Sequence, residues 1–315
     1  MEEKSIFERE DDFSSLVKTA KRKSLKKTIC ISVLVTLIVI ALLWGALAAS
    51  IYLMNKRIDA QLEGFQNEMY VQGANIESNA TSFDNFLVAT KTSSKLYKRV
   101  GPHLIDWGSY DYFHTILGAQ TVLQANSAMA INDAATYMKN QRALTFHVPT
   151  EATDKNDLDY IVSLPDFYNI EVAISFQELL PLSEVQAQFP TTQWAWLLDE
   201  GIYTEIEDAK KAEAEAPPEL RTVQPKDFSA VSDTRTYGFS IWHDAGLIQA
   251  AELFKEQLAY RQGYSIDIVR GLIGEQEPKD WSIAGVVLTG TPKELLPYLQ
   301  QNSVRTVRVG VVIPY

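Results

Sequence analysis

The sequence predicts an α+β fold outside a membrane, attached to a single transmembrane helix, and three observations carry that expectation. From Ile29 to Met54 the chain runs 26 residues without a charge, more than the about 20 a helix needs to cross a hydrocarbon core. In the C-terminal half, two stretches alternate strand-like apolar runs with capped helical segments. Between them and the apolar run, short hydrophobic stretches are broken by Gly, Asn, Pro and Ser.

The apolar run reads ICISVLVTLIVIALLWGALAASIYLM. A secretory signal peptide has a shorter hydrophobic region that ends at a small-residue cleavage site. Ala46-Leu47-Ala48 and Ala48-Ala49-Ser50 imitate such a site, but Ile51, Tyr52, Leu53 and Met54 carry the run past it. The segment is therefore read as a span. Its orientation follows from the flanks, since Lys and Arg close to a membrane stay on the cytoplasmic side. Lys18, Lys21, Arg22, Lys23, Lys26 and Lys27 place six cations in ten residues before the span, against Lys56 and Arg57 after it. The N-terminus is predicted inside and residues 55–315 outside, with the membrane-flanking cations against anionic lipid.

Charge divides at the same border. Residues 1–28 hold eight basic and six acidic groups, a net of +2, so a chain of net −11 leaves −13 on the remainder. An acidic exterior argues against nucleic acid as its ligand, because phosphate neutralisation needs Lys and Arg. The lone cysteine, Cys30, sits at the cytoplasmic edge of the span. The outer region then has no disulfide available and must hold by burial, which its length allows.

The expected domains are a basic cytoplasmic tail at 1–28, the span at 29–54, an N-terminal outer region at 55–150 and a C-terminal α+β domain at 151–315. In the tail, Phe13, Leu16, Val17 and Ala20 fall at i, i+3, i+4 and i+7, one helical face. A stripe that small makes no core of its own, so it rests on lipid or binds a partner. Asn55–Asn67 reads as a polar helical stalk. Met69–Gln72, Phe86–Thr90, Lys95–Val100 and His114–Ile116 read as short strands, and Ala125–Leu144, rich in Ala, Met and Leu, as a helix. Asn79-Ala80-Thr81 is a glycosylation sequon by composition.

The C-terminal half is clearer. Ile170–Phe176 is a predicted strand, Ser183 and Gln186 form a capping box for a helix at Glu184–Phe189, and Gln193–Leu198 is a second strand. The plan recurs with the strand Ile283–Thr289, a helix capped by Thr291 and Glu294 with Pro292 at its first position, and the closing strand Val304–Ile313. Residues 204–218 are charged and Ala-rich, ending in Pro217-Pro218, and read as an exposed insertion or flexible helix. A strand at Tyr237–Ile241 and an amphipathic helix at Leu247–Gln262 follow. The result is a sheet covered by helices on one side, with strand order not legible.

No catalytic constellation emerges, and no cofactor or metal is expected. His103, His114, His147 and His243 lack metal-ligand spacing, and no G-x-S-x-G elbow occurs. Asp154–Asp159 resembles a calcium loop but has Asp159 in place of the turn glycine. Gly285 and Gly290 have phosphate-loop spacing, yet Thr291-Pro292 stands where Lys-Ser/Thr is required. Trp194 and Trp196 share one strand face; core packing is the leading explanation and an exposed aromatic ligand ledge the sharper alternative.

Several passages are similar to a known family. KTAKRKSLKKTICISVLVTLIVI, followed by LYKRVGPHLIDWGSY at 96–110, resembles the N-terminal domain of the sigma factor regulator family of Gram-positive bacteria. RALTFHVP at 142–149, EVAISFQELLPLSEVQ at 171–186, WAWL at 194–197, TYGFS at 236–240 and GVVLTGTPKELLPYLQQNSVRTVRVGVVI at 285–313 resemble its C-terminal domain. The resemblance implies a membrane-bound anti-sigma factor. Its cytoplasmic part would hold an extracytoplasmic-function sigma factor, alone or through a second membrane regulator, while the outer domain reports on the envelope. A binding module for a peptide, glycan or envelope protein, with no direct transcriptional role, is the competing expectation.

Overall fold

The structure is a computed structural model and describes residues 6–125, 137–138, 141–149, 156–217, 219, 228–241 and 246–314. The chain forms two compact units, one of Met1–Arg57 with Thr115–Ala119 and one of Ile58–His114 with Gln120–Tyr315.

In the first unit, the tail and the apolar run belong to one uninterrupted helix, α1 (Ile6–Val71). Between Ile6 and Thr28 no Pro or Gly interrupts it, so the usual causes of a sharp kink are missing there. Within the apolar run, the Thr36 hydroxyl donates to the Ser32 carbonyl at 2.9 Å, which satisfies a polar group inside the helix itself.

The second unit begins with the last turns of α1. The predicted stalk is helical, but Met69–Val71 also remain helical, against the strand expected at Met69–Gln72. Only Gln72 takes part in strand pairing, as a single antiparallel bridge to Tyr237. Val71 is fully buried, and that apolar demand at the end of the helix extends it. Four strands follow: β1 (Ile76–Asn85), β2 (Ala89–Val100), β3 (His103–Thr115) and β4 (Gln120–Ala125), in sheet order β1-β2-β3-β4. Phe86, Leu87 and Val88 are the turn between β1 and β2 rather than the start of a strand.

The helix expected at Ala125–Leu144 is corrected where it is described. Strands β5 (Tyr137–Met138) and β6 (Gln141–Arg142) pair antiparallel, and residues 126–136 lie outside the described residues. Helix propensity is a weak prior. Here Arg142 is held by Asp157 at 2.8 Å, the Leu144 N–H donates to the Asp233 carboxylate and the Leu144 carbonyl accepts from the Asp233 N–H, contacts a helix would break.

After β7 (Thr145–His147) and α2 (Leu158–Ser163), the two predicted strand–helix–strand units appear. The first is β8 (Tyr168–Pro181), α3 (Leu182–Gln188) and β9 (Thr192–Leu197). The second is β12 (Ser282–Gly290), α7 (Pro292–Leu299) and β13 (Val304–Pro314). Between them come α4 (Gly201–Glu215), β10 (Ala230–Ser232), β11 (Tyr237–Ser240), α5 (Leu247–Leu258) and α6 (Tyr264–Ile273). The five-stranded sheet runs β11-β9-β12-β8-β13, and every pairing in it is antiparallel. Each unit therefore keeps its own two strands parallel but admits one strand of the other between them. Counting β8, β9, β12 and β13 as one to four, the order is 4-1-3-2, the split β-α-β arrangement of ferredoxin-like domains.

Two details differ from expectation. Ser183 caps nothing: α3 starts two residues earlier than expected, after Pro181, without a side-chain cap. Gln186 instead accepts from the backbone N–H of Ile248 at 3.0 Å and so caps α5. The expected helix Leu247–Gln262 ends at Leu258, and α6 was not anticipated. The Thr291 box forms, with Thr291 N donating to Glu294 Oε2 at 2.9 Å and the Thr291 hydroxyl accepting from Glu294 N.

One face of the sheet carries Val172, Ile174, Ala195, Leu197, Val286 and Leu288 against α3, α5, α6 and α7. The other carries Ala173, Trp194, Trp196 and Val287 against Leu144, Phe146 and Val231 of the β7/β10 region. Residues 204–215 are helical, and α4 adds Ile202, Tyr203 and Ile206 to this second face, so it is more than an exposed insertion. The two indoles are accommodated by glycines on neighbouring strands. A Cβ at Gly285 would lie 2.2 Å from the Ile174 carbonyl oxygen and 3.2 Å from the Trp196 ring. We expect Gly285→Ala to lower stability by about 2–3 kcal/mol, the cost of overpacking a tight core. Thermal unfolding of the purified chain measures it, and an unchanged midpoint would contradict this packing.

Candidate functional site

The tail stripe lies on α1 with every member exposed: Phe13 at 70%, Leu16 at 67% and Val17 at 38%, with Ala20 beside them. Successive residues step by about 100° around a helix, which keeps these four on one side. The same step spreads Lys18, Lys21, Arg22, Lys23, Lys26 and Lys27 around the circumference. A ring of cations fits a plane of headgroups better than a single flat partner. Because the helix is continuous, Val17 lies about 18 Å along the axis from Ile29 at about 1.5 Å per residue. The adjoining apolar stretch reaches a mean hydropathy of 2.7, and α1 is the one described helix long and apolar enough to cross a bilayer.

The second unit contains a charge cluster that sequence reasoning missed. Lys98 on β2, Glu171 on β8 and Asp233 after β10 all have side chains with no solvent exposure. Lys98 Nζ donates to Asp233 Oδ2 at 2.8 Å and to Glu171 Oε2 at 3.2 Å, and sits 4.4 Å from the centre of the Trp107 ring. Glu171 Oε1 accepts from Asn75 Nδ2 at 2.7 Å, and Oε2 also accepts from the Val311 N–H. Asn75 reaches it from a left-handed turn, φ 57°, directly after α1. The Asp233 backbone completes the junction, its carbonyl accepting from Ala74 N and its N–H donating to the Leu144 carbonyl. Six chain segments thus meet at one buried cation.

The electrostatics are uneven, with one cation facing two carboxylates. Burial alone would lower the Lys98 pKa, but the charges of Asp233 and Glu171 outweigh it and the net direction is up. Glu171 is also raised, because burial outweighs the favourable Lys98 charge. Each raised group contributes its stability in full below its unfolded pKa and loses it as pH climbs through the native value.

A cleft of about 310 Å³ lies elsewhere in the same unit, between the end of α1, β1 and α5, lined among others by Tyr70, Glu77, Ser78, Phe254 and Arg261. Tyr70 stacks on Phe254 with centroids 5.3 Å apart, and the Arg261 guanidinium lies 3.9 Å over the Tyr70 ring. Arg261 donates to Asn67 Oδ1 at 3.0 Å, while its Nε is buried without an acceptor.

The remaining candidates are occupied by structure. Trp194 and Trp196 are each 2% exposed and pack on Phe146, with ring centroids 5.8 and 5.0 Å away. This corrects the aromatic-ledge alternative, since Phe146 covers the face that would have met a ligand. Asp157 is committed to Arg142, Arg308 and the Val309 N–H. Gly285 lies inside β12. His114 is buried, which lowers its pKa, and His243 lies outside the described residues. Among the described residues no group of three or more His, Cys, Asp or Glu is placed to hold a metal.

Comparison with protein families finds that residues 161–311 match the family model described as sigma factor regulator C-terminal. Neither the curated proteins nor the solved structures give a match. The matched residues run from α2 to β13 and include Glu171 and Asp233.

Lys98→Met strands two buried carboxylates and should cost about 3–5 kcal/mol, whereas Glu171→Gln, which removes the surplus charge, should cost less. As pH climbs from below 4.5, the ordinary value for Glu171, through its raised native value, wild type loses the Glu171 contribution and the Gln variant does not. Denaturant unfolding should therefore show the gap between Glu171→Gln and wild type narrowing as pH rises. A pH-independent gap would contradict this electrostatic account.

Proposed function

From the match of residues 161–311 to the sigma factor regulator C-terminal model, we propose that this chain is a single-pass membrane anti-sigma factor of that family. It regulates an extracytoplasmic-function sigma factor and couples the state of a Gram-positive cell envelope to transcription. The observation that carries the reading is the family match on a chain with one long apolar helix. In this reading residues 1–28 are cytoplasmic, on the strength of the six cations before the span. Phe13, Leu16, Val17 and Ala20 are the docking face for the sigma factor or a second membrane regulator. Their position well clear of the apolar run favours a protein partner over lipid.

The role is regulatory rather than catalytic. A short tail is a small clamp, so a second membrane protein sharing the task fits the dimensions. α1 is one element from the tail stripe to Val71, which gives a change in the outer domain a continuous backbone route to the docking face.

The cleft beside Arg261 favours a second reading, an outer binding module for a peptide, glycan or envelope protein with no direct transcriptional role. The two separate experimentally. Leu16→Asp with Val17→Asp should weaken capture of a sigma factor, or of a membrane protein that holds one, by on the order of 100-fold, the loss of two apolar contacts at about 1.5 kcal/mol each. Pull-down from solubilised membranes measures it. Replacing residues 1–28 with an unrelated basic tail should release transcription of the sigma factor's targets; an unchanged phenotype would select the binding-module reading.

A further inference from the structure

A strand at the edge of a sheet leaves backbone N–H and C=O groups unpaired, and folded proteins ordinarily blunt or cover such edges. β1 is the outermost strand of the four-stranded sheet. From Glu77 to Asn85 its backbone bonds only to β2 among the described residues. The cleft between α1, β1 and α5 opens onto that edge, and all its lining residues belong to the second compact unit. Ile76, Ser78 and Thr81 stand opposite Lys98, Leu96 and Ser94 on one face of the sheet, while Glu77 and Ala80 stand opposite Tyr97 and Lys95 on the other. Residues of both faces line the cleft, so the wall is the strand edge itself, with its free backbone groups. Ser240 lines the cleft too, at the end of β11, the outermost strand of the five-stranded sheet.

The helical wall adds Met69 of α1 and Leu253 of α5, an aliphatic side chain left 53% exposed. Arg261 supplies a cation whose guanidinium is already fixed in place. It lies over the Tyr70 ring and its Nη1 donates to Asn67 Oδ1, while Nη2 takes no partner among the described residues. Glu77, the acid among the described lining residues, does not neutralise it, because Glu77 is held by Arg99 at 3.4 Å.

We propose that this cleft binds an extended peptide segment, which adds a strand to β1, sets an aliphatic side chain against Met69 and Leu253, and places a carboxylate on Arg261. The volume of about 310 Å³ is at the low end of ligand pockets, about 300–1,000 Å³, and suits a few residues rather than a folded partner. The bulge between Ser78 and Ala80 interrupts the register of β1 and confines an added strand to a short stretch. A sugar fits less well, because the Tyr70 ring is taken up by Phe254 and Arg261 and offers no open face for stacking. The inference rests on the reading of the Arg261 cleft as a binding site, and holds whether or not the tail docks a sigma factor.

The test uses the full chain in detergent micelles with pools of dye-labelled random hexapeptides, each pool fixing one residue type at one position, read by fluorescence anisotropy. Pools with free and with amidated C-termini separate a terminal carboxylate from one on Asp or Glu. The proposal expects binding by pools that carry a carboxylate and an aliphatic residue, and slower amide hydrogen exchange at residues 77–81 with the best peptide. Arg261→Gln, and Leu253→Glu at its exposed position outside the core, should each weaken that binding by about 10–100-fold, the worth of a charge-assisted contact. Of the two alternate sets of peptide amides, N-methylation of one should abolish binding and of the other should not, since alternate amides of an added strand point at β1. A best peptide indifferent to Arg261→Gln and Leu253→Glu, or one that leaves exchange at residues 77–81 unchanged, would overturn the proposal. Chitotetraose serves as the glycan probe: its binding, lost on Leu253→Glu, with no peptide bound would overturn the peptide and leave the cleft a binding site. Binding of neither probe would overturn both.

Discussion

The interaction on which the rest of the second unit depends is the buried contact of Lys98 with Glu171 and Asp233. A lone ammonium in a dry interior is unstable, and so are two carboxylates; only together, with Asn75, Leu144 and Val311 supplying further hydrogen bonds, are they tolerated. The consequence is positional. Lys98 comes from the four-stranded sheet, Asn75 from the exit of α1, and Glu171 from β8, the longest strand of the ferredoxin-like sheet, which pairs with both β12 and β13. None can settle independently without leaving a charge unpaired. An apolar junction of the same size would hold as firmly or more so, but it would specify the partners less strictly.

Local signals were legible in the sequence where one short segment decides the outcome. The apolar run shows itself by length, and α7 by Thr291, Pro292 and Glu294 standing together. The two strand–helix–strand units were also visible, because each keeps its pattern within a short segment. Their interleaving was not, since it depends on β8 and β12 meeting across more than a hundred residues. Gln186 was misassigned for the same reason: its cap is given to a helix far along the chain. α6 escaped notice because β-branched residues and Gly271 obscure its pattern.

The buried cluster was illegible for a different physical reason. In KLYKRV, Lys98 falls on the same strand face as Leu96 and Val100, but three cations in six residues read as a solvated stretch, and nothing local indicates that two acids will cover it. Glu171 inside the apolar strand NIEVAISF was the one available sign, a charge where a doubly covered strand should have none. Lys98 and Trp107 lie in the stretch LYKRVGPHLIDWGSY, and Glu171 begins EVAISF. The passages that carry the family resemblance thus hold the residues that join the domain together.

The proposed regulatory role asks for positioned surfaces rather than for a reactive centre. Buried Lys98, Glu171 and Asp233 converge on one another in the interior, and the exposed tail stripe lies on a continuous helix. The central claim is that a bilayer separates a small cytoplasmic tail from a large outer domain. Protease added to intact, wall-free cells tests it most directly. The account predicts that residues beyond about the end of the span are digested while a short fragment containing the tail and span survives. Survival of the C-terminal domain with loss of the tail would contradict it.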